Sequence, residues 1–120
     1  IEDDLMSAML QNLLALCDTP RDNAMLRFGI ANEYAKLQDW PAAAEQARLA
    51  IARQQDFSAA WKLLGKALAA QGEGAAALAV YREGIAVAQA RGDIQAVKEM
   101  TVFARRIEKQ QAASSGQGDA

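Results

Sequence analysis

Ser58–Arg91 reads SAAWKLLGKALAAQGEGAAALAVYREGIAVAQAR. Two alanine-rich apolar runs flank Gly72-Glu73-Gly74, a glycine cluster of the kind that punctuates turns. The reading is helix, turn, helix. Gly65 in the first run and Ala77 in the second are small, as two crossing helices require at their contact. Trp61, Leu64 and Tyr81 supply the bulk that fills the space around it. The preceding stretch, Ala24–Phe57, aligns with this one at a spacing of 34 residues and repeats the same layout.

The composition outside these stretches agrees. Of 120 residues 28 are Ala, against eight Gly, two Pro and seven aromatics. Alanine loses no side-chain entropy in a helix, and the β-branched residues that favour sheets are scarce. The length suits one domain or a short array, and the fold class is all-α. Six helical segments are predicted. The first begins at Glu2-Asp3-Asp4, the charge sign a helix N-terminus favours, runs to about Cys17 and stops at Asp18-Thr19-Pro20. The second runs from about Asp22 to Leu37, capped by Asp22 or Asn23. Asp39 caps the third, with Pro41 in its first turn, and it ends near Gln54. Asp56 or Ser58 caps the fourth, which reaches Gln71; the fifth spans about Ala75 to Ala90 and stops at Gly92. Asp93 caps the sixth, Ile94 to about Gln110, with Ile94, Val97, Met100, Ala104 and Ile107 on one stripe. Residues 111–120 are small and polar, which predicts a disordered tail.

The 34-residue unit resembles the tetratricopeptide repeat. In Ser58–Arg91 the residues Trp61, Leu64, Gly65, Leu68, Gly72, Ala77 and Tyr81 fall on that family's signature positions. Ala24–Phe57 matches through Ile30, Ala31, Tyr34, Ala43 and Ala50, with Trp40 as the aromatic after the turn. It departs at Arg27, where tryptophan is usual, and at Ala47, where a large aromatic is usual; neither copy carries the closing proline. The resemblance implies an α-solenoid of antiparallel helix pairs, a right-handed superhelix whose concave side is lined by the first helix of each repeat. Repeat units cannot bury their faces alone. Residues 1–20 are therefore placed as a degenerate preceding half-repeat, with Met9, Leu13 and Leu16 facing Ala24–Leu37, and residues 93–110 as a polar capping helix.

Several chemistries are absent from the sequence. There is no histidine, which removes the commonest general base and most zinc recipes. Cys17 has no basic neighbour within three residues to activate it and reads as a small hydrophobe. Gly72-Glu73-Gly74-Ala75-Ala76-Ala77 satisfies a dinucleotide-loop string, but a helix rather than a strand precedes it. Glu2-Asp3-Asp4 reads as a helix start, not a metal site. A DNA-recognition helix aims basic and amide residues at base edges, whereas the helices after each turn are alanine-rich with mixed charge, and net charge is −2. No run is long and apolar enough to span a membrane. We expect no catalysis, no cofactor, no nucleic-acid partner and no membrane partner; one thiol suits a cytoplasmic setting, and a start at Ile1 leaves an upstream segment open.

What remains is a protein or peptide partner. The resemblance turns Met25, Phe28, Asn32 and Lys36 of the first copy toward the concave face, and Lys62 and Lys66 of the second, with Lys98 and Arg105 added by the sixth helix. Lys62 and Lys66 share one helix face, and Ser58–Gln71 contains no acidic residue to neutralise them. The expectation is a groove for an acidic segment. Some family members grip acidic C-termini with a lysine–asparagine clamp; Asn32 matches it, but Phe28 and Leu63 stand where a lysine and a second asparagine belong. The clamp is incomplete. Leu5–Leu16 is rich in Leu and Met over more than one stripe, which predicts a contact with an upstream helix, a second copy or a partner.

Overall fold

The computed structural model describes the backbone of residues 2–118 and the side chains of residues 8–115. Among these residues there are six helices and no strand: α1 (Glu2–Leu14), α2 (Ala24–Lys36), α3 (Trp40–Arg53), α4 (Ser58–Ala70), α5 (Gly74–Arg91) and α6 (Ile94–Gly118). Side-chain caps set three of the starts. The Asn23 carboxamide accepts from Leu26 N–H at 2.8 Å, Asp39 from Ala42 N–H at 3.3 Å, and Asp93 from Ala96 N–H at 3.1 Å. The fourth helix differs. Phe57 is its N-cap without a side-chain bond, and the Ser58 hydroxyl instead donates to Asp93 at 2.6 Å, tying the starts of α4 and α6 together.

The ends also depart from composition in two places. Residues 15–18 tighten into turns closed by Leu16 N–H to Leu13 C=O and Cys17 N–H to Leu14 C=O, so α1 stops before Cys17. The last helix continues through Gly118 where a disordered tail is predicted. Ala112 and Ala113 are strong helix formers, and the preceding turns supply the nucleus that a polar segment lacks alone. Asp119, Ala120 and Ile1 lie outside the described residues, as do the side chains of Glu2, Asp3 and Asp4.

Successive helices pack in sequence, α2 on α3, α3 on α4, α4 on α5 and α5 on α6. Beyond that chain, α2 touches α4 and α4 touches α6, whereas α3 and α5 do not touch each other among the described residues. The stack is therefore bent, with α2, α4 and α6 on its inner side. One core runs through it, from Ala31, Ala43 and Ala47 past Leu64, Ala67, Leu68, Ala77 and Tyr81 to Met100, Ala104 and Ile107. A Cβ on Gly65 would lie 2.6 Å from Cδ1 of the Tyr81 ring, and one on Gly84 would lie 2.7 Å from Sδ of Met100. Both glycines are small because a neighbour occupies the space.

The first repeat closes differently. Arg27, in the tryptophan position, is buried and donates from Nε and Nη2 to the Asp22 carboxylate at 3.0 and 2.8 Å, and from Nη1 to Gln46 at 3.2 Å. Arg53 reaches the same carboxylate at 3.1 Å. The Arg27 hydrogen bond, then the Asp18 backbone N–H, hold the Asp22 carboxyl down at about 2. Leu10, Leu26 and Ile30, with Leu13, Leu16, Cys17 and Tyr34 against them, seal α1 onto α2. Met9 does not join this face; it is 49% exposed, because Leu10 takes the buried position one residue on.

Candidate functional site

The inner side carries a groove between α4 and α6. Its larger part is a cavity of about 450 Å³ floored by Ala69, Ala70, Tyr81, Phe103 and Ile107, with Lys66, Arg106 and Gln110 around it. A second cavity of about 330 Å³ adjoins it, lined by Phe28, Asn32, Ala59 and Leu63, with Lys62, Lys66, Glu99 and Phe103. Lys66 and Phe103 belong to both, so the two form one continuous channel. Small residues make the room: Ala59, Ala69 and Ala70 keep the α4 wall low, which is what an alanine-rich inner helix provides.

The charges in the channel are not equivalent. Lys62 Nζ lies 3.2 Å from Glu99 Oε2, with both side chains about one-third exposed, so this lysine is already neutralised from across the groove. Lys66 is exposed, 5.9 Å above the Trp40 ring, and Arg106 lies 5.9 Å from the Phe103 ring centroid. Neither is ion-paired among the described residues. Burial pushes the Tyr81 phenol up to about 12, so it lines the larger cavity as a neutral hydroxyl at physiological pH.

The structure gathers four of the eight residues expected on the concave face, Phe28, Asn32, Lys62 and Lys66. Phe28 serves the core as well, since its ring lies 4.8 Å from that of Phe57. Met25 is 66% exposed outside both cavities, and Lys36 pairs with Glu33 at 3.0 Å at the end of α2. Lys98 and Arg105 are exposed and line neither cavity. The buried stripe of α6 is Ala96, Met100, Ala104 and Ile107, with Ile94 66% exposed rather than on it. That rotation brings Glu99, Phe103 and Arg106 into the channel, and residues one position earlier to solvent. Gln110 on α6 was not anticipated as a lining residue, because an incomplete repeat offers no second helix from which to read its register; Tyr81, expected only as core bulk at the helix crossing, lines the cavity as well.

The fold and this inner groove define a helical-repeat protein of the kind that mediates protein–protein contacts. No family model matches the chain. It is 41% identical over 101 residues to the TPR repeat-containing protein PA0015 of Pseudomonas aeruginosa, covering 84% of this chain and 96% of that protein. The solution structure of protein BPP2914 from Bordetella parapertussis is 38% identical and superposes with a TM-score of 0.79, over 89% of this chain and 93% of the other. A tetratricopeptide repeat domain protein from Salinibacter ruber, 22% identical, shares the fold with a TM-score of 0.68 over 77% and 92% of the two chains. The chain belongs to the tetratricopeptide-repeat family. Among the described residues no helix is long and apolar enough to cross a membrane.

Proposed function

We propose that the chain is a non-catalytic interaction module that binds an extended, acidic partner segment in the channel between α4 and α6. The observation that carries this reading is the pair of unpaired cations, Lys66 and Arg106, over an apolar floor in one cavity. An exposed cation beside buried aromatic surface offers a charge to steer a ligand and a dry contact to hold it. Membership of a family that generally works through protein–protein contacts supports it. The test is affinity capture from the native host with three baits: the wild type, Lys66→Glu, and Lys109→Glu on the outer side of α6. A partner held by the wild type and Lys109→Glu but lost by Lys66→Glu supports the groove. A partner held equally by all three overturns it.

A second reading has its own observation. Met9 and Met25 are both large, apolar and substantially exposed, at the α1 end of the stack. Adaptable methionine surfaces suit docking to a second copy or to a larger assembly. Sedimentation of the wild type and Met9→Glu across a concentration series decides it: association lost in the variant supports this reading, and a monomer throughout removes the self-association version.

A further inference from the structure

The channel is chemically uneven, and this says more about its occupant than its basic character does. At the Phe28–Leu63 end the close charge pair, Lys62 with Glu99, is internally satisfied, and the remaining lining is apolar apart from the Asn32 carboxamide and Lys66, which stands where the two cavities meet. A second carboxylate arriving there meets Glu99 as well as Lys62 and gains little. At the other end Lys66, Arg106, the Gln110 amide and the neutral Tyr81 hydroxyl surround the cavity, and no carboxylate lines it. We infer that the groove takes an extended segment that is apolar at one end and acidic at the other. One apolar side chain sits on Phe28 and Leu63, and one acidic side chain, roughly three residues further along, sits between Lys66 and Arg106.

The spacing follows from the wall. Along α4 the two cavities centre near Leu63 and Ala69, which at roughly 1.5 Å per residue is about 9 Å. An extended chain advances about 3.3 Å per residue, so about three residues bridge the two positions. The α4 wall ends at Ala70 while α6 continues to Gly118. The bound segment can therefore run out past the cation pair, which suits an internal Asp or Glu rather than a chain terminus. In this arrangement Glu99 is a specificity residue: it occupies Lys62 and excludes a ligand acidic at both ends.

This inference rests on the groove reading above, and the test separates the two. The probes are acetyl-Leu-Gly-Gly-Glu-amide, its Gln counterpart, acetyl-Glu-Gly-Gly-Glu-amide, and acetyl-Leu-Gly-Gly-Gly with a free terminus. Each is titrated to millimolar concentration into the ¹⁵N-labelled chain and followed by amide chemical shifts. The Leu-Glu probe is expected to shift amides of Leu63, Lys66 and Phe103–Gln110, and to bind about fivefold tighter than the Gln probe. Arg106→Gln should remove that preference. Glu99→Gln should strengthen the doubly acidic probe relative to the Leu-Glu one. Shifts on α4 and α6 that ignore Glu against Gln, or ignore Arg106→Gln, overturn the inference and leave the groove standing. Equal binding by the free-terminus probe overturns the side-chain source. Shifts confined to α1, α3 and α5, or none at all, overturn both readings.

Discussion

Where the second repeat half-buries the Trp61 indole, the first buries the Arg27 guanidinium, and the two solutions make different demands on their surroundings. Trp61 lies beside Gly84, and its Nε1 donates to the Gln55 carbonyl at 2.8 Å. Arg27 needs a full complement of acceptors, and it takes them from Asp22 and Gln46. The same contrast holds at the helix crossing. Ala31 and Ala47 occupy in the first repeat the places that Gly65 and Tyr81 take in the second. Two small residues, or one absent side chain facing one large ring, are alternative ways of letting the two helices cross closely. The consequence reaches the surface, because Tyr81 is also part of the cavity floor. The aromatic solution builds a groove; the ionic solution builds only a joint.

The largest effects should come from breaking the aromatic solution. Tyr81→Ala is expected to cost about 4 kcal/mol through the cavity it leaves, and Gly65→Ala about 3 kcal/mol through overlap with the ring. The double variant reproduces the small-residue pair of the first repeat, so its loss in urea denaturation should fall short of the summed losses. Strict additivity would mean that the two positions are not coupled through one contact.

Arg27→Met comes next, with a smaller loss than Gly65→Ala, since Asp22 keeps Arg53 and the Asp18 N–H. Its pH dependence identifies the cause. The folded-state carboxyl at about 2 lies below the ordinary 3.8. Its contribution is complete above about pH 4 and is lost as pH falls toward 2. The stability gap between wild type and variant should hold steady at neutral pH and narrow on acidification over that range. A gap that widens there contradicts the assignment.

A finer contrast lies in the turns. Gln38 and Gly72 occupy the same repeat position and both have left-handed backbone, φ +60° and +78°. That geometry costs a side-chain-bearing residue about 1 kcal/mol. Gln38→Gly should therefore raise the unfolding midpoint and Gly72→Gln lower it, by similar amounts. Smallest of all, Lys66→Glu should change stability by less than about 0.5 kcal/mol, because its head group is exposed. A large loss would mark Lys66 as structural rather than as a ligand contact.

The repeat period, the helical class and the family were legible because they rest on local signals. Glycines break the helices, Asn23, Asp39 and Asp93 start them, and the small residues recur every 34 positions. Half of the candidate channel was legible for the same reason, since Phe28, Asn32, Lys62 and Lys66 sit on complete repeats, although Met25 and Lys36 at the two ends of α2 fall outside it. The other half depends on α6, an unpaired helix whose amphipathic stripe is broad enough to admit more than one rotation. Lys98 and Arg105 were chosen on one of these; packing of Ala96, Met100 and Ala104 selects another. The neutralisation of Lys62 was invisible within Ser58–Gln71, because Glu99 lies 37 residues away and meets it only across the stacked helices.

The account turns on where a partner lies, and hydrogen–deuterium exchange of the chain alone and with its captured partner reads that directly. Protection is expected on α4 between Ala59 and Ala70 and on α6 between Glu99 and Gln110, with α1, α3 and the outer face of α5 unchanged. Protection centred on α1, with α4 and α6 exchanging as they do in the free chain, would contradict it.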